Sequence, residues 1–208
     1  MSDLPPNLNE KSLAQGVAAL IEIDDDLKAV VEQFGSPPLW GREPGFATLL
    51  LIILEQQVSL ASARATFKKL SDAVERVSPE IFLQFNDAEL KGFGFSRQKT
   101  RYGRILSEAI LSGELDLDAL NKLDDEAVRK ELTKLIGIGA WTANIYLLMV
   151  LRRPDIYPPG DIALAKAMQQ VKKLDSRPNN DEQLKIAEAW RPWRAVGARI
   201  LWHYYLSI

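Results

Sequence analysis

Apolar residues recur every three or four positions along most of the chain, and no run of apolar–polar alternation is long enough to suggest a sheet. The spacing predicts helices near residues 11–34, 45–56, 59–77, 79–84, 86–92, 97–112, 116–121, 124–134, 140–151, 161–173, 180–190 and 192–206. Glycine and proline divide them at Gly35-Ser36-Pro37-Pro38, Gly92-Phe93-Gly94, Ser112-Gly113, residues 154–160 and Arg177-Pro178-Asn179-Asn180. Pro192 fits the first turn of the final helix. Residues 46–54 are almost continuously apolar and read as a buried core helix, because they fall well short of the ~20 residues that span a bilayer. There is no repeat, low-complexity tract or long linker, so the pattern points to an all-α protein.

A chain of 208 residues is long enough for one substantial core or for two small lobes sharing a cleft. Its 47% hydrophobic and 26% charged residues suit a soluble globular protein. With no cysteine, disulfides and thiolate-held metals are excluded, and the lone His203 argues against a conventional zinc site. The start, Met1-Ser2-Asp3-Leu4-Pro5-Pro6-Asn7, lacks a basic region leading into an apolar stretch; no secretory signal is expected, and the cytoplasm (the nucleus in a eukaryote) is the expected compartment.

A formal net charge of −2 runs against nucleic-acid binding, which normally draws on a basic surface. Positive charge is nonetheless gathered at Arg97, Lys99, Arg101 and Arg104, on a helix that Ser96 would cap. Cations in a first helical turn oppose the dipole, and a bound anion would explain their placement; a solvated basic face is the plainer alternative.

Residues 135–163 carry the most chemistry. Gly137 and Gly139 allow a tight turn between a helix ending near Leu135, with Val128, Leu132 and Leu135 on one face, and another over residues 140–151. Amides around Ile138 to Trp141 then lie at a helix N-terminus, where unpaired N–H groups and the dipole favour an anion. A plain helix-to-helix turn would use the same residues. Further on, Pro158-Pro159-Gly160 leads to Asp161, which is suited to cap the next helix.

Several separated blocks resemble the helix-hairpin-helix (HhH-GPD) DNA glycosylase superfamily. Leu135-Ile136-Gly137-Ile138-Gly139-Ala140-Trp141-Thr142-Ala143 is similar to its hairpin, and Asp155-Ile156-Tyr157-Pro158-Pro159-Gly160-Asp161 to the segment delivering its catalytic acid. Ile53-Leu54-Glu55-Gln56-Gln57-Val58-Ser59-Leu60-Ala61 resembles the strand-penetrating loop, and Gly94-Phe95-Ser96-Arg97-Gln98-Lys99-Thr100-Arg101-Tyr102 the element after it. Ala189-Trp190-Arg191-Pro192-Trp193-Arg194 and Trp202 are similar to the C-terminal helices of the 3-methyladenine DNA glycosylase II branch. The resemblance covers about residues 12–206.

It implies a two-lobed all-α fold with a cleft between the lobes, one over about residues 48–149 and the other built from the N-terminal helix plus about 161–208. Too few residues precede Trp40 for the mixed α/β domain of some bacterial relatives, so the compact form is expected. The implied activity is excision of alkylated purines, of the 3-methyladenine and 7-methylguanine type, from duplex DNA by base flipping and hydrolysis of the N-glycosidic bond. A monomer is expected. Which alkylated or deaminated purine is preferred stays open.

By the same resemblance, Asp161 is the catalytic carboxylate, and Trp141, Trp202 and, more weakly, Tyr146 form the base pocket. The branch carries a tyrosine one position before Tyr146, where this chain has Ile145. DNA contacts fall to Gln56, Gln57, Val58, Ser59, Arg97, Lys99, Gly137, Ile138, Gly139 and Thr142, with Gln57 as the wedge. The carbonyls of Thr133, Leu135 and Ile138 would hold a structural Na+ or K+. No cofactor is required, and the lack of cysteine removes the iron–sulfur cluster of another branch. Bifunctional relatives place a Schiff-base lysine where this chain has Trp141, so no lyase activity is expected. Glu55 receives no catalytic role, His203 a packing or surface role, and Trp190 and Trp193 places in the core. Two other readings compete: a damage-binding protein of this fold with little or no catalysis, and a helical protein-interaction module suggested by the acidic charge.

Overall fold

The computed structural model describes residues 7–208, and every regular element among them is helical. Twelve α-helices follow one another: α1 (Glu10–Ile23), α2 (Asp25–Phe34), α3 (Phe46–Glu55), α4 (Leu60–Asp72), α5 (Pro79–Gln84), α6 (Asp87–Phe93), α7 (Arg97–Leu111), α8 (Asp125–Thr133), α9 (Ala140–Ile145), α10 (Ile162–Val171), α11 (Asn180–Glu188) and α12 (Arg194–Ser207). A 3₁₀ turn, Ala119–Lys122, precedes α8, and α9 runs on into a π-helical turn, Tyr146–Val150. No described helix is long and apolar enough to cross a membrane.

The described residues divide into two compact units, one of residues 42–146 and the other of residues 7–41 with 147–208. In the first, α3 is buried nearly all round: Phe46, Leu49, Leu50, Ile52, Ile53 and Leu54 are all in the core. It packs against α4, α7 and α9, while α5 and α6 close over α7. In the second unit, α12 packs against α1, α2 and α10. Gly16 lets α1 approach closely, because a Cβ there would sit 2.7 Å from Val196 Cγ2 and 2.8 Å from the Trp193 ring. Arg199 is fully buried in this unit and donates to the carbonyls of Leu39, Ala195 and Leu148. Burial, then the like charge of Arg152, pull its pKa down to about 9.

Four element boundaries differ from the sequence-based expectation. The single helix predicted over residues 11–34 is broken at Asp24, which takes an extended conformation and caps α2 by accepting the Leu27 N–H. Its carboxylate also accepts from Lys172 Nζ and from Trp190 Nε1, the latter at 2.7 Å, so a polar junction far along the chain decides the break. Helix α4 stops at Asp72 rather than near residue 77, and Ser78 is extended and caps α5 ahead of Pro79. The last helix starts at Arg194, leaving Pro192 outside its first turn; there the Ala195 N–H meets the Pro154 carbonyl. The helix predicted over residues 116–121 is only the short 3₁₀ turn.

The Asp24 junction makes a pH prediction. Burial alone would raise the Asp24 pKa, but hydrogen bonds from Lys172, Trp190 and the Leu27 amide outweigh it and hold the carboxyl below its ordinary 3.8. A depressed folded-state pKa gives stability that is present above the unfolded value and lost as pH falls through the folded one. Asp24→Asn, which keeps a capping oxygen but loses the ion pair, should unfold about 1–3 kcal/mol more easily at pH 7. In urea titrations the gap from wild type should shrink below pH ~4. A gap that does not change with pH would remove the ion pair from this account.

Candidate functional site

Asp161 lies just before α10 and caps it, its Oδ1 accepting the Leu164 N–H at 2.9 Å. The same oxygen faces the indole N–H of Trp202 on α12, 3.3 Å away. Two residues singled out from the sequence are therefore brought together, a carboxylate at a positive helix end beside a largely buried aromatic ring. The segment leading to Asp161 is anchored by buried Asp155. Arg194 grips its carboxylate through Nε at 2.7 Å and Nη2 at 3.0 Å, and Arg191 adds a third contact at 2.7 Å. Tyr157 is buried nearby with its hydroxyl toward Gln183; burial, and next the Asp161 carboxylate, push its phenol pKa well above the ordinary value. The approach to Asp161 is thus a packed, charge-neutralised strap, a role for Asp155, Arg191 and Arg194 that local sequence pattern does not reveal.

In the unit of residues 42–146, the turn between α8 and α9 carries the hairpin residues. Gly137 has φ +102°, and a Cβ on it would lie 2.3 Å from Cγ of Tyr102, so both backbone and packing require glycine. Gly139 is extended and caps α9 without a side-chain hydrogen bond; a Cβ there would meet nothing within 4 Å. The start of α9 is consequently open to close approach at Gly139. Ile138 is different from expectation: its side chain is buried and its N–H donates to the Leu135 carbonyl at 3.0 Å. That amide is committed to the turn, and anion capture would fall to the amides after it.

The α3 end is equally specific. Glu55 is buried in a two-pronged ion pair with Arg42, at 2.8 and 2.9 Å, which accounts for it structurally. Gln57 is exposed and has φ +58°, so the strand-penetrating candidate projects from a sharply bent backbone. Val58 is exposed beside it, and Ser59 caps α4. Gln56 is turned inward: its Nε2 donates to the Gly137 carbonyl at 2.8 Å and to Thr142 Oγ1 at 2.9 Å. Thr142 is itself buried. The Gln56 amide hydrogens and the Thr142 hydroxyl are thus engaged within this unit.

Of the basic cluster, Ser96 caps α7 as expected, and Arg97 and Arg101 are exposed. Lys99 turns its ammonium onto the Leu54 carbonyl, and burial lowers its pKa. Arg104 is held by the Phe85 carbonyl and the Asp87 carboxylate. The net positive face is therefore smaller than the sequence suggests. Trp141 is half-buried on α9, whereas Tyr146 is fully buried with its hydroxyl unpartnered and its pKa raised by burial, then by Asp118, to about 12. Tyr146 is thus a core side chain here rather than an accessible pocket wall.

The carbonyls of Thr133, Leu135 and Ile138 lie at or just beyond the C-terminus of α8, where the last C=O groups of a helix lack intrahelical donors. Leu135 already accepts one hydrogen bond and retains a second lone pair. Among the described residues no group of His, Cys, Asp or Glu is arranged to hold a metal. A surface depression of about 330 Å³ between α7 and the hairpin, lined in part by Ile105, Glu108, Lys134 and Ile136, contains neither the carboxylate nor the tryptophans.

A family model described as HhH-GPD superfamily base excision DNA repair protein matches residues 50–193, which contain the α3 end, the hairpin and Asp161. The chain belongs to the HhH-GPD superfamily. Similar members of the superfamily include a DNA-3-methyladenine glycosylase of Bacillus subtilis, 28% identical over 88% of this chain and 64% of its own length, and DNA-3-methyladenine glycosylase 1 of Schizosaccharomyces pombe, 26% identical over 92% of this chain and 87% of its own. The chain thus spans slightly less than two thirds of the Bacillus relative. In structure it resembles a Schizosaccharomyces pombe 3-methyladenine DNA glycosylase solved with abasic DNA, with a TM-score of 0.86 and 25% identity, covering 90% of this chain and 95% of that one. The all-α HhH-GPD fold expected from the sequence is the one observed.

Proposed function

We propose that this HhH-GPD protein is a monofunctional DNA glycosylase that removes alkylated purines from duplex DNA and so begins base excision repair. The observation that carries the reading is the Asp161 carboxylate, held at the start of α10 by the Leu164 N–H and faced by the Trp202 indole N–H. Relatives named as 3-methyladenine DNA glycosylases, one of them bound to abasic DNA, support it.

The chemistry needs little more than a fixed negative charge. An alkylated purine already carries positive charge and leaves without a strong general acid, while the sugar develops oxocarbenium character. Asp161 stabilises that charge and orients or deprotonates the attacking water. The electron-rich rings of Trp202 and Trp141 favour a cationic base. Exposed Gln57 fills the gap left by the extruded nucleotide, while Gly139 and the following amides, with Arg97, hold backbone phosphate. A monovalent cation on the Thr133, Leu135 and Ile138 carbonyls would brace the hairpin and take no part in bond cleavage. The protein acts as a monomer in the cytoplasm, or in the nucleus of a eukaryote, without a redox cofactor.

Trp141 supplies no amine, so no Schiff base forms with the sugar. A duplex carrying one 7-methylguanine should acquire alkali-labile sites faster than by spontaneous loss, should show no breaks before alkali, and should give no borohydride-trapped adduct. Breaks without alkali together with a trapped adduct would assign a bifunctional enzyme instead.

A further inference from the structure

The end of α3 is fixed on three sides before the chain bends at Gln57. Leu54 offers its carbonyl to Lys99, Glu55 is buried against Arg42, and Gln56 uses both amide hydrogens internally, on the Gly137 carbonyl and on Thr142 Oγ1. These last two partners lie 81 and 86 residues away in sequence. Gly137 is the hairpin's left-handed residue, seated on the Tyr102 ring, so its carbonyl direction has little freedom. The very next residue after Gln56 is exposed Gln57, at φ +58°. One side-chain amide thus ties the root of the strand-penetrating loop to the phosphate-binding hairpin.

We infer that Gln56 is a positioning residue that sets the distance between Gln57 and the hairpin, so that the hold on the backbone and insertion into the stack occur in register on one duplex; this rests on the glycosylase reading above. The physical reason is that a plug works only at a fixed offset from the phosphate on which the protein is seated. An error of about 1 Å in such placement is enough to cost ~10²-fold in rate. Gln56 contacts neither base nor sugar in this role, and acts through the geometry of Gln57. The bent Gln57 backbone is unfavourable for a non-glycine residue and persists because its surroundings determine it, which is what the contacts of Leu54, Glu55 and Gln56 do.

The test compares single-turnover excision of an alkylated purine paired in a duplex with excision of the same base lacking an opposite partner, where extrusion is easier. Gln56→Glu is isosteric but turns an acceptor toward the Gly137 carbonyl, and Gln56→Ala removes both bonds. Each should slow excision of the paired lesion about tenfold or more while changing the unopposed one by less than about threefold. Thr142→Val, which removes one partner, should cause a smaller drop of the same pattern and guards against misfolding of the Gln56 variants. In a Gln57→Ala background, Gln56→Ala should have little further effect on the paired substrate. Equal losses on both substrates, no loss on the paired one, or full additivity with Gln57→Ala would overturn the inference. A wild-type protein that releases base from neither substrate would sink the glycosylase reading itself.

Discussion

Asp161→Asn should leave a folded, DNA-binding protein whose base release is slowed by on the order of 10²–10³-fold or more. The substitution is informative because asparagine caps a helix about as well as aspartate. Its side-chain oxygen can still accept from the Leu164 N–H and the Trp202 indole, now 2.9 and 3.3 Å from Asp161 Oδ1. What disappears is the negative charge, the feature needed by an oxocarbenium-like sugar. Binding to duplex DNA should change little, and the melting temperature should stay within about 2–4 °C of wild type, equivalent to less than ~1 kcal/mol in a chain this size. Unchanged excision by the variant would remove Asp161 from the chemistry. Loss of excision together with loss of the fold would mean that the charge itself holds the structure, since asparagine keeps the cap, and Trp202→Phe separates the cases: it deletes one hydrogen bond to Asp161 while leaving the charge and the cap, so an intermediate loss of excision in a folded protein is expected.

The second large effect is expected at the hairpin. Gly137→Ala forces a side chain into φ +102° and places its Cβ 2.3 Å from Cγ of Tyr102. Left-handed backbone costs an L-residue roughly 1–2 kcal/mol, and overpacking roughly 1–3 kcal/mol more. The sum, about 2–5 kcal/mol, should lower the melting temperature by roughly 5–15 °C. The two contributions are separable. In a Tyr102→Ala background the ring is gone, so Gly137→Ala should cost only the backbone part. Because the Gly137 carbonyl also receives the Gln56 amide, DNA affinity should weaken by about tenfold or more even at temperatures where the variant is fully folded. A drop limited to the backbone part, about 2–8 °C, would mean that the Tyr102 ring moves aside freely, and a melting point within about 2 °C of wild type would contradict both contributions.

Local signals in the sequence predicted these features where the chemistry itself is local. Ser96 and Asp161 are short polar residues directly before helical apolar spacing, and both cap the helices that follow them. Gly137 and Gly139 marked the hairpin, although only Gly137 uses the left-handed region; Gly139 is extended and serves by leaving space. The long apolar run before Gln56 correctly indicated a buried helix. What stayed hidden was set by partners distant in sequence. No glycine or proline announces the break at Asp24, which depends on Lys172 and Trp190, 148 and 166 residues away. Lys99 looked like part of a basic face because its type and position at a helix start say nothing of the Leu54 carbonyl it reaches. Gln56 read as a DNA contact for the same reason. The π-helical turn of Tyr146–Val150 was equally invisible, since an unbroken apolar stretch suits any buried helix, as was the unpaired hydroxyl of Tyr146 in the core.

The most direct measurement is the free base released from methylated duplex DNA, identified by mass and followed with time. The account predicts that wild-type protein releases 3-methyladenine or 7-methylguanine well above the spontaneous rate, leaving intact strands that break only in hot alkali, and that Asp161→Asn does not. Tight binding of the methylated duplex with no base released would contradict it and assign the chain to damage recognition without catalysis.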